Sequence, residues 1–118
     1  MRGFRKDYRK LHGDGYFTTV RVRPEEDWVS CLDRHDAIVL FARTKRARTI
    51  GRATIVKVDA CHISCLDEWQ RLDEQFCQED AEISRDEFLR YLRSEVRRLK
   101  REWIVIYTYR WDSRETGP

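Results

Sequence analysis

Residues 16–23 read Tyr16-Phe17-Thr18-Thr19-Val20-Arg21-Val22-Arg23. The alternation sets Phe17, Thr19, Arg21 and Arg23 on one face and Tyr16, Thr18, Val20 and Val22 on the other, which is the period of a β-strand. In front of it, His12-Gly13-Asp14-Gly15 breaks whatever precedes. Phe4, Tyr8 and Leu11 stand at helical spacing, so a short amphipathic helix is predicted over residues 4–12. Behind the strand, Pro24-Glu25-Glu26-Asp27 places a proline and three acids where a helix start favours them. A short helical turn through Trp28, Val29 and Leu32 is expected, ending near Asp33.

Further along, the apolar run 36–42 and the β-rich segment 49–58 flank a basic loop, 43–48, and are expected to pair as a hairpin. In the second of these strands Ile50, Arg52, Thr54 and Val56 share one face and Gly51, Ala53, Ile55 and Lys57 the other, so neither is plainly the core side. Gly51 and Ala53 suggest close packing or a bulge. Leu66, Trp69, Leu72 and Phe76 predict one helix over residues 66–77. Ser84-Arg85-Asp86-Glu87 fits a capping box and opens a second helix whose buried stripe is Phe88, Leu89, Leu92, Val96 and Leu99. Arg97, Arg98, Lys100 and Arg101 end it, as the helix dipole prefers. Residues 103–111, Trp-Ile-Val-Ile-Tyr-Thr-Tyr-Arg-Trp, form the last strand, and 112–118 read as a frayed tail. The element order predicts an α+β fold, a small curved sheet of about five strands with flanking helices.

The chain is 118 residues long with 41% apolar residues, enough for one domain and one sizeable core. That domain is expected to span residues 1–118, with its core in 4–111. Four Trp, five Tyr and five Phe exclude a disordered chain despite 38% charged residues. No run approaches the ~18 apolar residues of a membrane span, and the N-terminus lacks a signal-peptide pattern, so a cytoplasmic protein with no membrane partner is expected. Cys31, Cys61, Cys65 and Cys77 are read as reduced, because a core this rich in aromatics needs no disulfide staples. A zinc site can be written from Cys61, His62, Cys65 and Cys77, but CxxC knuckles are lacking and the cysteines suit a core, so no metal is predicted. No motif for any cofactor is present: the sequence lacks a glycine-rich phosphate loop, an HExxH and a nucleophile elbow.

A net charge of +3 hides a strong segregation. Residues 1–23 carry seven basic and two acidic groups, 24–33 four acidic and no basic, and 34–57 seven basic and one acidic. Residues 58–96 then carry eleven acidic and four basic groups, and 97–118 six basic and three acidic. A basic face of this kind attracts phosphates by its focused field and by counterion release. The plain alternative is a solvated surface rich in arginine.

Gly13 with Thr19-Val20-Arg21, His35-Asp36-Ala37-Ile38-Val39-Leu40, and Ile50 to Val58 together resemble the ASCH domain, a family of PUA-like β-barrels. The resemblance runs from about Phe4 to Trp111. It implies a small barrel with RNA or nucleotide bound in a cleft beside the Thr-Val-Arg strand. The family signature sets a Gly, a Lys two residues later and an Arg five beyond that. Counting back from Arg21, Tyr16 stands in place of the Lys and Asp14 in place of the Gly. Some ASCH proteins are amidohydrolases of acetylated cytidine that use a Lys, a Thr and a Glu. Only Thr19 matches here, with Glu74 and Glu79 both open for the acid. Loss of the Lys counts against an enzyme. Other relatives are thought to cleave RNA, and Tyr16, Arg21 and His35 could hold a phosphate.

Read from the residues themselves, the strand 16–23 is the best site because aromatic faces, hydroxyls and guanidinium groups share one segment. Tyr16 and Phe17 can stack on bases, Thr18 and Thr19 can reach base edges, and Arg21 and Arg23 can fork onto phosphate. Lys45, Arg46 and Arg48 form the expected phosphate-tracking loop. The expected activity is RNA or nucleotide binding in a basic cleft beside this strand. An ASCH-type nucleoside amidohydrolase or ribonuclease is the alternative, and a protein interaction domain using the acidic 67–87 face is the third reading.

Overall fold

A computed structural model describes residues 2–4, 10, 15–24, 37–42 and 48–114. Strands β1 (Arg2–Phe4), β2 (Tyr16–Arg23), β3 (Ala37–Ala42), β4 (Arg48–His62) and β5 (Trp103–Arg114) form one sheet in the order β1-β3-β4-β5-β2. Two 3₁₀ turns (Ile63–Glu68 and Gln70–Leu72), helix α1 (Glu74–Ala81) and helix α2 (Arg85–Leu99) lie between β4 and β5. The α+β class holds, but the barrel of about five strands does not. The body of the sheet is three antiparallel strands, β4, β5 and β2, and it stays open, with β2 at one edge and β3 and then β1 continuing it past β4.

The middle strand of that three-stranded body is β5, which is buried on both sides: Ile104, Val105, Ile106, Tyr107 and Tyr109 are all 0% exposed. Its alternation separates two cores. Ile104 and Ile106 join Val20 and Val22 of β2 against Leu66, Leu72, Cys77, Phe88, Leu89 and Leu92 of the helical layer. Val105, Tyr107 and Tyr109 point the other way, with Phe17, Ala53 and Ile55. There Phe17 stacks on Tyr109 with ring centroids 5.0 Å apart and meets Trp111 at 4.7 Å. Each apolar side chain so buried contributes about 1.5–3 kcal/mol. Gly15, at φ +87, turns the chain into β2 while its carbonyl accepts from Trp111 N at 2.8 Å.

Helix α2 follows its sequence signals. The Ser84 hydroxyl accepts from Glu87 N, acids fill the first turn, and Lys100 closes the last turn in the left-handed conformation, its N–H bonded to Val96 O at 2.9 Å. The single helix expected over 66–77 is corrected to two 3₁₀ turns followed by α1. Leu66, Trp69 and Leu72 recur every three residues, which is the 3₁₀ period. Asp73 then starts a new helix by accepting from Phe76 N at 2.7 Å. Burial pushes the Cys77 thiol on α1 up to about 11, which keeps it protonated and inert.

The helix expected over 4–12 is corrected at its start. Phe4 ends β1, which pairs in parallel with β3, and Lys10 has 3₁₀ geometry. The remaining residues of that segment, the turn expected over 25–33 and the loop 43–47 lie outside the described residues. The hairpin of β3 and β4 forms as expected. Part of the predicted tail, residues 112–114, instead continues β5, and Asp112 is bonded by the Thr54 hydroxyl.

One irregularity in β4 organises the rest. Ile55 pairs with Tyr109 of β5 but Lys57 pairs with Thr108, so Val56 is an extra residue in the ladder. A bulge reverses the side-chain phase beyond it. Ala53 and Ile55 face the aromatic core, and after the bulge Val58 and Ala60 do so. Lys57, Asp59 and Cys61 consequently turn to the helix side. Deleting Val56 should force Lys57 or the residues before it onto the wrong face and lower stability by several kcal/mol, read as a drop in the urea midpoint. An unchanged midpoint would show that the bulge does not set the phase.

Candidate functional site

The bulge, the register and the helical layer converge on one cleft of about 420 Å³. Lys57 of β4 pairs with Thr108 of β5, which pairs with Thr18 of β2, so the three side chains form a row across the helix-facing side of the sheet. Tyr16 continues that face of β2 at the mouth, and Arg71, Phe76 and Glu79 close the cleft from the helical layer. Lys10 lines it from the chain preceding β2.

Lys10 is the anchor of the site. Its ammonium donates to Asp80 Oδ1 at 3.0 Å and to the Thr18 carbonyl, and Thr18 Oγ1 donates to the same carboxylate at 2.6 Å. Both charged side chains are buried, with 11% of Lys10 and 5% of Asp80 exposed. Burial pulls the Lys10 pKa below its ordinary value, opposed by the neighbouring Asp80 charge. This buried set ties the edge strand β2 to helix α1 and holds Thr18 in place.

The cations at the mouth are arranged differently. Arg71 reaches Asp59 Oδ2 at 3.3 Å and Lys57 reaches the same oxygen at 3.6 Å, while the Arg71 guanidinium lies 5.7 Å from the centre of the Phe76 ring. Both are exposed, at 42% for Arg71 and 60% for Lys57. Exposed pairs are worth about 0–1 kcal/mol, so an anionic ligand can recruit both cations at little cost. Tyr16, 65% exposed, lines the same cleft and presents an aromatic surface to solvent.

The residues expected from sequence divide by face. Tyr16 and Thr18 line the cleft, with Phe17 contributing its edge. Phe17 is otherwise committed to its stack in the aromatic core, with 4% exposed, which removes it as a base-stacking surface. Thr19 is wholly buried on that same side of the sheet, away from Thr18. Arg21 and Arg23 follow it on the same face, and Arg21 Nη1 donates to Val20 O at 3.2 Å. Lys45, Arg46 and His35 lie outside the described residues, and Arg48 begins β4 opposite Ala42.

The two acids left open by the sequence sit in different places. Glu79 lines the cleft, whereas Glu74 caps α2 by accepting from Arg85 N at 3.0 Å. The acidic 67–87 face wraps Arg85, which donates to Leu72 O and Asp67 O at 2.7 Å each. Beside it lies a second cleft of about 400 Å³, lined by Asp67, Glu68, Asp73 and Glu74.

The cleft residues Lys10, Lys57, Arg71, Phe76 and Thr108, and Asp80, which bonds Lys10 and Thr18, escaped the sequence reading. Lys57 is legible only once the bulge is known, and Asp80 carries one usable signal, an acid on the inward stripe of a helix. Cys61, Cys65 and Cys77 are free thiols. No three His, Cys, Asp or Glu side chains among the described residues converge as metal ligands would, and no described helix is long and apolar enough to cross a membrane.

Replacing Asp80 with Ala strands the Lys10 ammonium and should cost about 3–5 kcal/mol by chemical denaturation. A loss below 1 kcal/mol would mean that the pair does not hold β2 to α1. No family model matches this chain, and no curated protein or solved structure is significantly similar to it.

Proposed function

We propose that the chain binds RNA or a free nucleotide in the cleft beside β2. The observation that carries this reading is the pairing of an exposed aromatic, Tyr16, with two exposed cations, Lys57 and Arg71, across one cleft. A base stacks on the Tyr16 ring, a contribution of ~1–3 kcal/mol per base. The phosphate meets the Arg71 fork and the Lys57 ammonium, displacing their weak hold on Asp59. Thr18, Thr108 and Glu79 offer hydrogen-bonding groups to the base and ribose edges in between. At about 420 Å³ the cleft is within the range of small-ligand sites and suits one nucleotide unit rather than a duplex. The resemblance of Thr19-Val20-Arg21 to the ASCH motif implies the same ligand class, but the Thr19 and Arg21 side chains alternate away from the cleft and carry no part of this reading.

The test is anisotropy titration with a short labelled single-stranded RNA, with nucleoside monophosphates as competitors, at low and physiological salt. Affinity should fall with salt, and Tyr16→Ala should weaken it by about 1–3 kcal/mol at either salt. Arg71→Ala should reduce the salt slope by about one. Salt-independent binding, or full affinity in both variants, would refute the cleft as the site.

A further inference from the structure

At the other end of the sheet, 3₁₀ turn Ile63–Glu68 opens with a second organised cluster, separate from the cleft. His62 Nδ1 lies 2.8 Å from Ser64 Oγ, and His62 Nε2 lies 3.1 Å from Glu102 Oε2. The backbone decides which nitrogen carries the proton. Ser64 N donates to Nδ1 at 3.2 Å, so Nδ1 holds a lone pair and Nε2–H donates to the Glu102 carboxylate. Toward that lone pair Ser64 Oγ–H is a donor, sharing it with Ser64 N. Carboxylate, imidazole and hydroxyl are thus aligned with one polarity, Glu102 to His62 to Ser64.

The cluster is held by the sheet and does not depend on side-chain chance. His62 pairs with Trp103 at the end of the β4–β5 ladder, Ile63 N donates to Glu102 O at 2.8 Å, and the imidazole packs edge-on to Trp103 at 5.4 Å. A helix cap explains the Ser64 N bond alone. It does not require a carboxylate on the far nitrogen or the serine hydroxyl on the near one. Ser64 is exposed, and so is its neighbour Cys65, whose Sγ is 3.7 Å from Ser64 Oγ.

The geometry points to Ser64 as a general-base-assisted nucleophile toward small activated acyl esters, with His62 as the base and Glu102 as the residue that positions it. Ser64 Oγ attacks the acyl carbon as its proton passes to His62 Nδ1. The tetrahedral adduct collapses with cleavage of the ester C–O bond, the leaving oxygen takes that proton from the imidazolium and departs as the alcohol or phenol, and Ser64 carries the acyl group beside a neutral His62. Water then attacks the acyl-serine, giving its proton to His62. The C–Oγ bond breaks, Oγ recovers a proton from the imidazolium, and the carboxylic acid is released. Ile63 N and Ser64 N are already bonded, so the acceleration expected is that of general-base assistance, roughly 10²–10⁴-fold.

The probe is p-nitrophenyl acetate, with p-nitrophenolate release followed by absorbance and the acetyl group located by mass spectrometry of the intact and digested chain. A burst with acetyl on Ser64 is expected, lost in Ser64→Ala and kept in Cys65→Ser. Glu102→Gln should slow acylation about tenfold or more, and Glu102→Asp should recover part of it, a rescue that a merely structural side chain would not give. Acetyl confined to Cys65 or lysines, or a Ser64→Ala variant with the wild-type rate, overturns the assignment. All four substitutions are at exposed side chains, and urea denaturation of each variant separates a lost relay from a lost fold.

Discussion

Everything in this fold hangs on one strand that is dry on both sides. Residues 104–107 and 109 of β5 expose nothing, so the strand must be covered twice, and the two coverings differ in kind. Aliphatic Ile104 and Ile106 meet a helical layer, while Tyr107 and Tyr109 meet Phe17 in an aromatic stack. β2 and β4 flank this strand and inherit its two-sidedness. That is why the alternation of residues 16–23 has apolar groups on both faces, with Val20 and Val22 on one and Phe17 on the other.

The candidate site exists because β4 cannot keep one phase for fifteen residues. With Val56 as an extra residue, Lys57 leaves the aromatic side and aligns with Thr108 and Thr18 under the helices. The energetics within the cleft then separate into two tiers. Lys10 and Asp80 are largely buried and bonded to each other and to half-buried Thr18, hence structural and costly to disturb. Lys57, Arg71 and Tyr16 are exposed and weakly held, hence available. A rigid floor with loosely held recognition groups above it is what a binding cleft requires.

Much of this was legible in the sequence and some was not, for identifiable reasons. The bounds of β2 and the Ser84 cap of α2 follow from local chemistry that tertiary packing does not override. The 66–77 segment misled because a spacing of three fits both a helical stripe and a 3₁₀ turn, and only Asp73 marks where one becomes the other. Lys57 misled because a bulge has no two-residue period to announce it; the small Gly51 and Ala53 drew attention to β4 but not to Val56. The barrel misled because closure is a property of strand edges, and no residue pattern within a strand states whether its edge finds a partner. Lys10 and Asp80 are 70 residues apart and meet only once β2 lies against α1.

The central claim is that ligand recognition belongs to the helix-facing side of β2 and not to its arginine-bearing side. Amide chemical-shift mapping of the labelled protein with a nucleoside monophosphate tests it most directly. Shifts centred on Tyr16, Thr18, Lys57 and Thr108 are predicted, since these line or span the cleft. Shifts centred on Arg21, Arg23 and Val105, or none at saturating nucleotide, would contradict the account.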